Sequence, residues 1–230
     1  INSLYKTSGT SSAFYIDVSQ QVRTPNNYDM ITLTSAYIPK SYYLITTSNN
    51  TFSISETGYT TKTITISIGN YSFQSMITAL TTAINAAGLH WTYVVSISQQ
   101  TGLMTFTNNA TAGNSASFNF TGSSPWRIFG FTQAVYNMAY VAGTYTLTSP
   151  NIVNLQLTST IQIMCDIVDK QLLSLVIPSE TDFSSILYTE PNPAFVSKGL
   201  NRSNCNNIYF WLLDGNTGLP INLNGLDLSL

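Results

Sequence analysis

Charge is what this sequence has least of. Only 8% of its 230 residues are charged and the formal net charge is −2, where an average soluble domain carries about 25% charged residues. Lys and Arg number 8 and never cluster. Direct nucleic-acid binding is disfavoured, because phosphate neutralisation needs several cations side by side. Histidine is almost missing, with His90 the sole example. A zinc centre is therefore disfavoured, and a Ser-His-Asp triad would have to use that one ring without a G-x-S-x-G elbow to present its serine. His90, beside Trp91 at a strand start, reads as an ordinary surface or satisfied residue. The two cysteines are Cys165, in the apolar run Ile161-Gln162-Ile163-Met164-Cys165, and Cys205, among Asn and Ser. The first reads as a small core residue and the second as a loop residue, and no disulfide is expected. No apolar run approaches the roughly 18 residues of a membrane span, no signal-peptide pattern opens the chain, and no glycine-rich phosphate loop is present.

The acids, 10 in all, stand mostly alone in turns or at strand edges. Asp166 and Asp169 form the nearest pair in a structured context and read as strand-end solvation rather than as a glycosidase couple. Asp214-Gly215-Asn216 is a hairpin turn, since no acidic ligand follows at the spacing of a calcium loop. No catalytic residue, metal ligand or cofactor is expected, and the chain is not expected to be an enzyme.

Ser, Thr and Asn abound instead. Sequons fall at Asn49, Asn70, Asn109, Asn119 and Asn201, but such a composition produces them by chance and glycosylation is not inferred. Hydroxyls and amides carry solubility here. Little charge repulsion opposes the pairing of strand edges, which suits a subunit whose surface is covered by neighbours.

The stretch Thr63 to Phe131 organises the rest. Thr63-Ile64-Thr65-Ile66-Ser67-Ile68 alternates with period two, as a half-buried strand does. Ser72 then sits as an N-cap with Tyr71 and Met76 in staple positions, and Phe73, Met76, Ile77, Leu80 and Ile84 form one helical stripe that Gly88 ends. One amphipathic helix, about 72–87, is predicted, lying across a sheet. Residues 91–97 and 103–107 read as a hairpin joined through Gln99-Gln100-Thr101-Gly102. Before this unit, strands are predicted at 13–18 and 29–38, with a short hairpin from 42–45 to 52–54; after it, at 152–157, 161–168, 172–177 and 208–213, the last followed by a glycine-rich hairpin. Residues 110–124 and 133–143 read as loops. Residues 1–12 read as an N-terminal arm ordered by an outside contact. About a dozen strand signals without βαβ alternation predict an all-β protein, a single jelly-roll antiparallel β-sandwich over 13–230 with the helix in an interstrand connection and no internal boundary.

Several segments resemble a known succession. Thr63-Ile64-Thr65-Ile66-Ser67-Ile68-Gly69-Asn70-Tyr71-Ser72 before the helix, then Thr101-Gly102-Leu103-Met104-Thr105-Phe106, Ile128-Phe129-Gly130-Phe131 and the closing Leu212-Leu213-Asp214-Gly215-Asn216-Thr217-Gly218-Leu219-Pro220 follow one another as in jelly-roll capsid proteins of the adenovirus lineage. The likeness is to the penton, or vertex, subunits of adenoviruses, virophages and polinton-like viruses. Together the matching segments cover about half the chain. The chain departs from the adenovirus penton in its shortness and in lacking an Arg-Gly-Asp loop, so integrin binding is not implied. The resemblance implies a homopentamer at icosahedral vertices that contacts a major capsid protein and a fibre or spike. It also implies residence in the virion, with assembly inside the infected host cell. Candidate assembly contacts are Leu4 and Tyr5 in the arm, the Tyr42-Tyr43 corner, and Tyr136 and Tyr140. The competing reading is another jelly-roll minor capsid or spike protein that presents an aromatic surface, with Trp126 a candidate, to a host glycan or receptor.

Overall fold

The computed structural model describes residues 1–18, 30–155, 160–168, 172–176, 184–201 and 206–230. Contacts gather in two compact units, one formed by Ile1–Tyr42 with Gln156–Leu230 and the other by Tyr43–Leu155. The first part of the chain contributes β1 (Ser8–Thr10), β2 (Ala13–Asp17), β3 (Met30–Ile31) and β4 (Ser35–Pro39). The second unit holds β5 (Thr51–Glu56), β6 (Lys62–Thr65), the helix α1 (Phe73–Ala86), β7 (Tyr93–Ile97), β8 (Met104–Asn108), β9 (Ala116–Asn119), β10 (Val135–Asn137), β11 (Ala139–Val141) and β12 (Thr144–Thr148). The chain then returns to the first unit with β13 (Thr160–Cys165), β14 (Leu173–Val176), β15 (Ser185–Thr189), β16 (Lys198–Gly199) and β17 (Asn207–Asp214).

The first unit is a sandwich. Its main sheet has the antiparallel order β1-β2-β17-β13-β14. Facing it, β15 pairs with β4, and a bridge from Tyr37 to Ser229, itself bridged to Asn2, adds both ends of the chain to that layer. Period-two alternation sends Phe14, Ile163, Phe210 and Leu212 from one layer and Ile38, Ile186 and Leu228 from the other into one core. Early and late strands lying side by side across crossovers make this a jelly roll.

The second unit stacks the sheet β10-β9-β5-β6 with the sheet β11-β12-β8-β7. Phe52, Ile54, Ile64 and Phe118 share a core with Val95, Phe106 and Leu147 and with Met76, Leu80 and Ile84 of α1. Each fully buried helix side chain contributes about 1.5–3 kcal/mol. Ser72 caps α1 through a capping box in which Ser75, rather than an acid, returns the bond: Ser75 N donates to Ser72 Oγ at 3.2 Å and Ser72 N to Ser75 Oγ at 2.8 Å. Gly88 follows the helix with φ +71°. The helix also covers an edge. Asn85 accepts from Tyr93 N and donates to Tyr93 O, both at 2.8 Å, so its amide occupies the hydrogen-bonding positions of a neighbouring strand on β7.

The all-β class, the antiparallel pairing and the lone helix among the described residues are as the sequence predicts. Several details differ. Phe73 is 44% exposed, so the buried stripe of α1 narrows to Met76, Leu80 and Ile84. The hairpin before the helix pairs β5 with β6, whereas Tyr42 to Ile45 forms no strand and has one isolated bridge, from Ile45 to Gly69. The predicted strand 29–38 is interrupted between β3 and β4. Strand β9 lies inside the stretch read as a loop at 110–124, with Phe118 and Phe120 fully buried, and β10 and β11 occupy the one read as a loop at 133–143. Residues 1–12 are ordered by their own unit: Ser3 N donates to Leu228 O at 2.9 Å, β1 pairs with β2, and Asp227 accepts from the Ser3 and Ser11 hydroxyls at 2.8 and 3.1 Å. Cys205 and Asp169 lie outside the described residues, and Cys165 is buried.

Candidate assembly surface

Among the described residues the buried carboxylate is Glu56, at the end of β5, and it does structural work. It accepts from His90 N at 2.7 Å, Trp91 N at 3.1 Å and the Tyr93 phenol at 3.0 Å, tying the loop after α1 to the β5–β6 hairpin. The backbone amides take the acid directly because Gly88 turns the chain back on itself after the helix. Burial, with the nearby Glu56 charge adding to it, raises the Tyr93 pKa far above its ordinary 10.0, so this phenol stays protonated and keeps donating. The His90 imidazole stacks on Tyr59 at 4.3 Å with Trp91 edge-on. Asp166 accepts from Tyr209 N at 2.9 Å, and Asp214 closes its turn by accepting from the amides of Asn216 and Thr217.

A shallow depression of about 200 Å³ on the outer face of β5, β6 and β9 is lined by Thr51, Ser53, Thr63, Asn119, Thr121 and Ser123, with no ionisable side chain. Among the described residues, no group of three His, Cys, Asp or Glu could hold a metal ion. Near β15, the Tyr188 phenol donates to Glu190; it is pushed up to about 12, by desolvation first and by that carboxylate second. Glu190 is held below the usual carboxylate range, chiefly by the same bond and then by Asn192 N–H. These are local ties.

The predicted contact residues fall in different environments. Leu4 and Tyr5 are 60% and 75% exposed on the first unit. Tyr42 is 6% exposed and belongs to that unit's core, whereas Tyr43, its neighbour, is 37% exposed. Tyr136 is half-buried, its ring edge-on to Phe131 at 5.0 Å and its hydroxyl accepting from Thr132 N at 3.1 Å. Tyr140 is 47% exposed and leans on Tyr145, its cross-strand partner. Leu4 and Tyr5 are neighbours in one short turn, whereas Tyr136 and Tyr140 belong to the second unit, on short strands of two different sheets. Trp126 packs against the second core with the Arg127 guanidinium 4.7 Å above its ring.

Two apolar groups escaped sequence reasoning. On the outer face of β4–β15, Leu187 and Tyr37 lie directly opposite one another, and Leu187 is 78% exposed. On the outer face of the five-stranded sheet, Tyr15, Tyr209 and Trp211 form a stacked row, with centroids 4.5 and 5.1 Å apart. Alternation in Tyr209-Phe210-Trp211-Leu212 was the available signal, but both alternating sets are apolar, so the pattern alone does not say which faces out.

No protein-family model matches the chain, and no curated protein does. Among solved structures, the crystal structure of the SeMet-labelled mavirus penton protein aligns with 95% of this chain and 92% of its own, at a TM-score of 0.48 and 14% identity. The 3.5 Å cryo-EM structure of the Sputnik virophage aligns with 95% of this chain and 90% of its own, at a TM-score of 0.39 and 12% identity.

Proposed function

We propose that the chain is a structural capsid protein, a penton-like vertex subunit that assembles as a homopentamer in an icosahedral shell. The observation that carries this reading is the surface. A chain with only 8% charged residues displays large apolar side chains, Tyr5 at 75% and Leu187 at 78% exposure, on a β-sandwich. Apolar side chains are also gathered there, in the pair Leu187–Tyr37 and the row Tyr15–Tyr209–Trp211, and it is gathered rather than scattered apolar groups that mark interaction sites. The ordered motifs of the sequence support the lineage. In this reading the work is geometric, with no reaction catalysed. The first unit is the jelly roll that meets neighbouring copies and the major capsid protein, and Tyr43–Leu155 is an insertion within the same subunit. A fibre or spike is a further partner, the virion the location, and nucleic acid is not contacted directly. No helix among the described residues is long and apolar enough to cross a membrane.

The purified protein tests this by sedimentation equilibrium. A species of five 25.2 kDa chains is expected; a strict monomer across micromolar concentrations, or a trimer, would set the penton reading aside. A trimer favours the alternative, a jelly-roll spike or minor capsid protein that binds a host glycan or receptor.

A further inference from the structure

We propose that the uncharged depression on the outer face of β5, β6 and β9 is a binding site for a neutral saccharide. This goes beyond the assembly proposed above and is carried by the unit Tyr43–Leu155 alone.

The registers set out its floor. Ser53 lies between Thr63 on β6 and Asn119 on β9, and Thr51 lies opposite Thr65. Phe52, Ile54, Ile64 and Phe118, the alternate members of the same strands, fill the core, so the outer face presents hydroxyls and an amide. Neighbouring strands lie about 4.8 Å apart and alternate residues about 7 Å apart along each, which spreads these groups over a grid rather than a line. Thr121 and Ser123, in the segment after β9, complete the lining.

The hydrogen-bonding capacity of this lining is unspent. The hydroxyls of Thr51, Ser53, Thr63 and Ser123 bond to no other protein group. Close by, hydroxyls are tied down: Thr57 Oγ1 donates to Ser115 O at 2.7 Å, and Ser124 Oγ, next to Ser123, donates to Phe120 O at 2.6 Å. Asn119 is held at one end. Its Oδ1 accepts from Thr121 N at 2.9 Å and from Thr121 Oγ1 at 2.7 Å, which fixes the carboxamide and leaves the Nδ2 hydrogens to donate. A fixed donor among rotatable hydroxyls suits a ligand that both gives and accepts hydrogen bonds.

Charge and shape narrow the ligand class. Glu56 and Lys62, the ionisable residues of these three strands, belong to the inward set, since Glu56 pairs with Ala116 and Lys62 with Ile54. An anionic ligand therefore meets no cation on the lining. Phe52 reaches the lining from beneath and is 4% exposed, so no aromatic, Met or Arg side chain stands out from the depression as at the centre of a protein interface. A neutral sugar fits both conditions. Its hydroxyls radiate from a ring and meet groups on two strands at once, while its C–H faces lie on the methyl groups of Thr51, Thr63 and Thr121. At about 200 Å³ the depression is smaller than the roughly 300–1,000 Å³ of sites that enclose a drug-sized ligand, so it holds the end of a glycan and leaves the rest in solvent.

The test is an array of neutral, sialylated and sulfated glycans probed with the labelled full chain, followed by a saturation-transfer NMR titration of the best neutral oligosaccharide. Thr63→Val and Asn119→Asp are compared with the parent; both keep the side-chain shape, and Asn119→Asp keeps the oxygen that Thr121 bonds. Far-UV circular dichroism and urea midpoints check each fold, and Ser53→Ala repeats the comparison if either variant fails that check. The expected result is saturable binding of a neutral glycan by the parent, no tighter binding of its anionic forms, and a dissociation constant that rises about 2- to 10-fold per variant, the scale of one lost hydrogen bond. Folded variants that bind like the parent overturn the inference, as does a parent that binds no neutral glycan or binds anionic ones more tightly. The sedimentation result is read separately: a pentamer that binds no sugar leaves the proposed function standing, and a sugar-binding monomer sets aside the penton reading alone.

Discussion

Replacing Glu56 with alanine removes the latch between the β5–β6 hairpin and the loop after α1. Three donors lose their acceptor: the amides of His90 and Trp91 and the phenol of Tyr93. Tyr93 is 0% exposed, so its hydroxyl is left buried without that partner, at about 1–3 kcal/mol. His90 is exposed and Trp91 half-exposed, so water recovers much of what their amides lose, and these two together cost about 1 kcal/mol. The expected destabilisation is therefore about 2–4 kcal/mol. Glu56→Gln keeps the shape and one acceptor oxygen, which can still serve Trp91 N and the Tyr93 hydroxyl on the Oε1 side, but turns an N–H donor toward the donor His90 N on the other; about 1–2 kcal/mol is expected. Urea unfolding followed by circular dichroism gives both numbers. If both variants stay within about 0.5 kcal/mol of the parent, or if glutamine proves worse than alanine, the latch is not what orders this loop.

Two further outcomes follow from named residues. Gly130 has φ +79°, and a Cβ there would lie 2.1 Å from the Asn151 carbonyl oxygen; Gly130→Ala should cost about 2–4 kcal/mol by urea unfolding, and a neutral result would show that the two loops part easily. Alkaline stability should decline for a stated reason. Tyr93 has a folded pKa raised above 10.0, so its contribution is fully present below pH 10 and is lost as pH rises beyond it, by up to about 1.4 kcal/mol per pH unit. Tyr93→Phe should flatten that slope and cost about 0.5–1.5 kcal/mol at neutral pH, and an unchanged slope would refute the assignment.

The helix was legible because its signals agree: a serine at the cap, apolar residues at i, i+4 and i+8, and a glycine where the chain must turn left-handed. The strands bracketing it were legible for the same reason, one apolar set alternating with hydroxyls. Reading failed where that contrast fades. In Ala116-Ser117-Phe118-Asn119-Phe120 the alternation is perfect, but it is short and embedded in Ser, Thr, Asn and Gly, so local composition outweighed it. The division into two units left no trace, since their contacts, not their composition, separate them. For the surface, Tyr42 and Tyr43 are indistinguishable as residues, and only the core tells which one turns inward. The Tyr15–Tyr209–Trp211 row joins residues brought together by pairing across almost the entire chain, which no local pattern encodes.

That pairing has a consequence for biogenesis. Tyr43–Leu155 is contiguous, so every partner it needs has left the ribosome once Leu155 has. The other unit must wait: β2 hydrogen-bonds only to β1 until β17 has been synthesised, and Phe14 has no Phe210 to meet. The early strands therefore wait for β17 as a hairpin, and the inserted unit, by compacting first, shortens the loop that must close before they meet their late partners.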